Sequence, residues 1–161
     1  MIAGRVEGIF VTSGPSAPPR DVDEAEAIAG LGLAGDRYAE RTGTWYKPEK
    51  TGQHLTLIEA ETLEEIGLIS ARESRRNIVT RGLRVADLLG RRFRIGDAVC
   101  IGVRDCPPCT HLEGLTVAGV KDALEGRGGL RADVVESGRI AVGDSIESLQ
   151  AFEPAVVDSA G

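Results

Sequence analysis

Two short stretches of this 161-residue chain carry the residue types that do chemistry. The first is Cys106-Pro107-Pro108-Cys109-Thr110-His111, two thiols at C-x-x-C spacing with a histidine just beyond. Three chemistries fit that spacing. A redox dithiol gains thiolate character from the N-terminus of a following helix in a βαβ setting, whereas the nearest helical pattern here starts at Leu115. A structural zinc site would combine Cys106, Cys109 and His111, with Cys100 as a further thiol. Such sites normally draw ligands from two separated knuckles, and His54 is the one other histidine. The third reading is a single thiolate on a stiff turn. Pro107 and Pro108 fix their own φ and bias the residues before them away from helix. A sulfur at such a strand end is presented reproducibly, as ligation of a soft metal or transfer of sulfur demands. Cys106 stands at the start of the turn and Cys109 at its exit. Burial of both as inert thiols is the plain alternative, and Cys100, within Ala98-Val99-Cys100-Ile101, reads that way.

The second stretch is Ser74-Arg75-Arg76-Asn77-Ile78-Val79-Thr80. On a strand, Arg75 and Asn77 would share one face, with Arg76 and Ile78 on the other. Guanidinium and amide side by side make a directional clamp for an anion and a heterocycle edge. Arg37, after Gly35-Asp36, and Arg127 and Arg131, flanking Gly128-Gly129, could add charge, although each arginine alone reads as a solvated surface residue. Asp36 and Asp144, each after glycine, read as turn residues bonding their own backbone.

The elements that must position these groups are short and glycine-punctuated. Strands are expected at Val6–Val11, His54–Ile58, Asn77–Thr80, Arg92–Ile95, Ala98–Val103 and Ser145–Leu149. A terminal hairpin is expected to pair Ala132–Val135 with Ile140–Val142 through Glu136-Ser137-Gly138-Arg139. Helices are expected at Glu59–Ile66, stopped by Gly67, and at Leu115–Leu124, with a single helical turn at Val85–Leu89. Asp21–Gly30 fits either a short helix or an edge strand. Thr42–Gln53 reads as a long loop on which Trp45 folds back as an apolar plug. Many short strands without βαβ alternation argue for a mainly β, barrel-like fold decorated by a few short helices.

Composition narrows the function classes. The apolar fraction is 42% and the charged fraction 27%, as in ordinary globular domains. Nineteen basic against twenty-five acidic side chains give a net charge of −6, which repels phosphate at long range. Neither a nucleic-acid surface nor an anionic-membrane surface is expected, and the few aromatics argue against base-stacking platforms. Met1–Arg5 lacks the basic start and apolar run of a signal peptide, and three cysteines do not make a disulfide scaffold. The expectation is a cytoplasmic protein.

Taken in order, Gly35-Asp36-Arg37, Ser74-Arg75-Arg76-Asn77-Ile78-Val79-Thr80, Leu89-Gly90-x-x-Phe93-x-Ile95-Gly96, Cys106-x-Pro108-Cys109 and Gly138-Arg139-Ile140-x-Val142-Gly143-Asp144 resemble the MOSC domain, the family named for the C-terminal domain of molybdenum cofactor sulfurases. The resemblance runs from about residue 4 to residue 149 and is strongest to small stand-alone bacterial members. It implies a β-barrel-like domain over residues 1–150, with 151–161 a loose tail, and binding of the molybdenum cofactor, a pyranopterin dithiolene with a phosphate and a Mo centre. In related amidoxime-reducing enzymes the second cysteine ligates molybdenum, so the resemblance makes Cys109 the metal ligand and catalytic residue. It likewise assigns cofactor contacts to Arg37, Arg75 and Asn77. Pro107 and Pro108 stand where the family often has polar residues, which removes any side-chain contact made there. The pyridoxal-phosphate module of full-length sulfurases is missing, so no pyridoxal phosphate is expected on this chain. The implied activity is Mo-dependent reduction of N-hydroxylated compounds with an electron-donor protein. Alternatives are a sulfur carrier bearing a Cys109 persulfide supplied by a sulfurase, and a non-catalytic protein that binds and hands over the cofactor.

Overall fold

The computed structural model describes residues 2–14, 17–36, 52–107 and 115–149. Arg37, Trp45, Cys109, His111 and the 151–161 tail therefore lie outside the described residues. Eleven strands are described: β1 (Ala3–Val11), β2 (Arg20–Val22), β3 (Glu24–Ile28), β4 (Gly32–Leu33), β5 (Leu55–Glu59), β6 (Ile78–Arg81), β7 (Arg92–Ile95), β8 (Ala98–Asp105), β9 (Leu130–Glu136), β10 (Gly138–Ala141) and β11 (Ser145–Ser148). Two α-helices accompany them, α1 (Ala60–Ile66) and α2 (Val120–Ala123), with one 3-10 turn at Val85–Leu88.

Seven strands run in the order β11-β7-β8-β9-β5-β6-β1, and a β1–β11 pairing closes the ring into a barrel. Closure removes the exposed edges that an open sheet would leave. β1 is long enough to serve three partners: β11 through Ala3–Arg5, β6 through Arg5–Ile9, and the added strand β2 through Ile9–Val11. Neighbours in the ring are antiparallel except β5 and β6, which are parallel. A parallel pair needs a crossover, and α1 with residues 67–77 provides it. Alternation sends Leu55, Leu57, Ile78, Cys100, Leu130, Ala132 and Val134 into the barrel interior around Phe93. Ile58 and Val79 point the other way, into a second core beneath α1 and α2 with Leu63, Val120 and Leu124. α1 ends as its sequence predicts: Gly67 takes the left-handed conformation at φ 65° and its N–H donates to Leu63 O.

Of the two readings open for Asp21–Gly30, the strand one holds, as β2 and β3. Two other expectations change. The helix expected at 115–124 is confined, among the described residues, to Val120–Ala123 because Gly119 sits at φ 94°, outside helical space. The terminal hairpin does not form. β9 pairs with β8 and β5, while β10 leaves the barrel to pair with β3 in a small β10-β3-β4 sheet. Gly138 allows that departure: a Cβ there would lie 2.3 Å from Asp97 O, so only a bare backbone passes over the β7–β8 turn. No helix among the described residues is long and apolar enough to cross a membrane.

Gly138→Ala is accordingly expected to lower the folding free energy by about 1–3 kcal/mol through overpacking against backbone that cannot retreat. Gly14→Ala, which meets nothing within 4 Å, should stay within about 0.5 kcal/mol of the parent. Urea denaturation midpoints at constant m-value check both.

Candidate functional site at one end of the barrel

The Ser74–Thr80 stretch is a turn followed by a strand. Ser74 N–H donates to Ser70 O and Arg75 N–H to Arg72 O, and Arg75 then adopts φ 59°. A left-handed non-glycine residue costs about 1–2 kcal/mol. It also cancels the strand alternation on which Arg75 and Asn77 were expected to share a face. Arg75 instead reaches back to donate from Nη1 to Ala17 O at 2.6 Å.

Asn77, 1% exposed, ties three elements together. Its Oδ1 accepts from Thr56 N at 2.9 Å and from Thr56 Oγ1 at 3.2 Å, and its own N–H donates to Thr56 Oγ1 at 3.0 Å. Its Nδ2 donates to Phe10 O at 3.1 Å, while Phe10 N–H donates to Asn77 O at 2.7 Å. One amide thus fastens the starts of β5 and β6 to the outgoing end of β1. A primary amide has two N–H bonds, and among the described residues no acceptor meets the second.

Arg76 is the residue that sequence reasoning passed over. Its side chain is buried, 8% exposed, and runs from the lead-in of β6 to the ends of β8 and β9. Nε donates to Gly128 O at 2.8 Å, Nη2 to Cys106 O at 3.2 Å, and Nη1 more distantly to Ser74 O at 3.5 Å. At Gly129, φ 116°, a Cβ would strike Leu57 O at 2.2 Å, while Arg76 Nε lies at an ordinary contact distance of 3.6 Å. The sequence signal was alternation, which puts Arg76 on the face of Ile78, a residue of the barrel core. The result joins the two chemically suggestive stretches. Cys106, the first cysteine of the C-x-x-C sequence, is held by its carbonyl to Arg76 and by its N–H to Gly129 O at 2.8 Å. Its side chain is 1% exposed. Beside this clamp lies a cavity of about 380 Å³ with Asp105, Gly129, Glu59, Arg84 and Arg127 on its walls.

The other candidates separate. Cys100 lies in the barrel core, where burial first and the Asp133 charge second push its thiol up to about 12, so it is no thiolate near neutrality. Asp144 bonds within its own turn, its Oδ2 accepting from Ala141 N at 2.9 Å. Asp36, expected to do the same, is fully buried and accepts from Thr12 N at 2.8 Å, pinning the end of β1. Arg127 pairs with Glu65 on the surface, and Arg131 lies on β9 as register partner of both Thr56 and Arg104. Among the described residues no group of three His, Cys, Asp or Glu side chains converges as a metal site.

A family model described as the MOSC domain matches residues 51–147, more than half of the sequence. The chain belongs to the MOSC domain family, which is associated with molybdenum cofactor binding. The match spans the Arg75–Asn77 and Cys106–Cys109 segments, while Arg37 falls outside it. Among solved structures, the YuaD protein from Bacillus subtilis is 17% identical, with 92% of this chain and 98% of that chain covered at a TM-score of 0.72. YiiM from Escherichia coli is 21% identical over 93% and 72% of the two chains, TM-score 0.65. YiiM from Geobacillus stearothermophilus is 16% identical over 91% and 75%, TM-score 0.69. Identities this low establish the shared barrel fold. Among curated proteins no sequence matches.

His54 yields a pH prediction. Its Nδ1 accepts from Val134 N at 2.8 Å, so the neutral ring carries its proton on Nε2. Burial lowers its pKa below the ordinary 6.5, against the opposing pull of Asp133, 3.6 Å away. The native state therefore binds fewer protons than the unfolded chain just below pH 6.5. Its contribution to stability is full above that pH and is lost as pH falls through the folded pKa. In His54→Asn, whose Oδ1 can accept the same bond, the fall in stability between pH 7 and pH 5 should be shallower, as measured by urea midpoints across that range.

Proposed function

We propose that this MOSC domain binds the molybdenum cofactor, with the Cys109 thiolate as the metal's protein ligand, and reduces N-hydroxylated compounds in the cytoplasm. The observation that carries the reading is the Arg76 bond to Cys106 O, which holds the Arg75–Asn77 segment and the root of the cysteine turn at one end of the barrel.

The described residues fit such a group. Asn77 is a buried amide with an N–H left over for a ring edge, and a positively charged lead-in suits a phosphate. A thiolate suits a soft metal. When bound, the cofactor supplies the two-electron couple. The chain's own residues bind and orient it: Arg75 and Arg37 toward the anionic part, Asn77 toward the pterin edge, Cys109 toward the metal. Reduction of an N–OH group to N–H consumes two electrons and two protons and releases water. The electrons would come from a donor protein carrying a flavin or iron–sulfur group.

The test is purification from a host that makes the cofactor, followed by Mo and pterin analysis and turnover of an N-hydroxylated base with a supplied donor. Close to one Mo per chain is expected, reduced about tenfold or more in Cys109→Ser together with turnover. A persulfide on Cys109 without Mo would replace this reading by sulfur carriage, and Mo without turnover by cofactor storage and transfer. One zinc per chain, lost on changing either Cys106 or Cys109, would overturn it.

A further inference from the structure

Arg76 presents an electrostatic problem that its hydrogen bonds do not solve. A guanidinium is a permanent cation, and a buried charge is normally paired with an opposite charge because desolvation costs several kcal/mol per ion. Here it is 8% exposed and its partners are the carbonyls of Ser74, Gly128 and Cys106. Among the described residues no carboxylate pairs with it. Carbonyl oxygens take three of its five N–H bonds and leave a full positive charge in place. For stability alone, an uncharged side chain of similar volume would serve as well. What a neutral side chain would not do is hold two separate main-chain segments in fixed relation through a planar fork.

We propose that Arg76 is the positioning residue of Cys106, the first cysteine of the C-x-x-C pair. Its guanidinium tethers Cys106 O and Gly128 O, fixing the main chain at both ends of the 106–128 segment, and its charge biases that end of the barrel toward an anion. Its importance to catalysis rests on the molybdenum reading above; the tether itself does not. Lysine is no substitute, because one ammonium on a flexible stem cannot reproduce the fork geometry.

The Cys106 thiol reports on the tether without any cofactor, and Cys100, fully buried in the barrel interior, serves as the internal control. Parent, Arg76→Met and Arg76→Lys proteins are treated with iodoacetamide at one fixed pH, and labelling is followed at each cysteine by mass spectrometry, with circular dichroism to verify folding. In the parent both thiols should label slowly. In Arg76→Met, Cys106 should label about tenfold faster or more through local opening, with Cys100 unchanged. Arg76→Lys should fall between the two. Methylguanidinium added to Arg76→Ala should slow Cys106 labelling again, and equal urea should not.

An unchanged Cys106 rate in folded Arg76→Met overturns the proposal. So does a joint rise at Cys106 and Cys100 in Arg76→Lys, which would make Arg76 a support of the whole barrel. Because the readout needs no metal, an absence of Mo from the purified protein would sink the functional reading while leaving this one standing.

Discussion

A cation withdrawn from water and held by carbonyl oxygens is the constraint around which this end of the molecule is arranged. The Arg76 fork reaches the residue that follows β8 and a residue just before β9. Those strands are adjacent in the barrel, and the fork adds to the Cys106 N–H bond to Gly129 O at the two ends of the 106–129 connection. At Gly129 the Leu57 carbonyl occupies the space a side chain would need, and Arg76 Nε lies at ordinary contact distance beyond it. The left-handed turn at Arg75 belongs to the same arrangement. It ends one hydrogen-bonded turn and redirects the chain so that consecutive arginines part, one toward Ala17 and the other into the interior. Strain at Arg75, a glycine at position 129 and a buried charge at Arg76 are three aspects of one local solution.

Asn77 applies the same logic on the neighbouring strands. β5 and β6 are the parallel pair of the ring, and parallel ladders are slightly weaker per residue. The reciprocal bonds between Asn77 and Thr56 reinforce that pair at its open end, and the bond to Phe10 O extends the reinforcement to β1. An amide first of interest as a ligand contact does structural duty. Three of its four hydrogen-bonding directions are filled by Thr56 and Phe10, and one N–H remains.

The strand positions were legible because glycine punctuation and alternation are local properties. β7 and β8, joined at Gly96-Asp97, follow from sequence almost residue for residue. Pairing was not legible. Ala132–Val135 and Ile140–Val142 look like a hairpin because a short polar turn separates two apolar runs. Nothing in that stretch reveals that Gly138 will slip past the Asp97 carbonyl and carry β10 to another sheet. The contact that decides the matter lies forty residues away in sequence. The candidate site divides the same way. Residue types at 74–77 and 106–109 announced chemistry, and alternation put Arg76 with Ile78 of the core. The left-handed turn at Arg75, which sends its side chain back toward Ala17, lay outside any strand-based alternation.

The formal charge of −6 and a buried guanidinium act on different length scales. Surface carboxylates are screened by salt within roughly 8–10 Å, and in this chain many are paired locally, as Glu7 and Glu64 are with Arg81. They set how the protein meets polyanions in bulk solution. Inside, where the effective dielectric is lower and mobile ions are absent, one uncompensated cation outweighs several distant surface acids. Excess negative charge outside and a fixed positive charge beside the Cys106 main chain are thus consistent. The first raises the long-range cost of approach for any polyanion, and the second lowers the local cost for an anion that leaves solvent beside it.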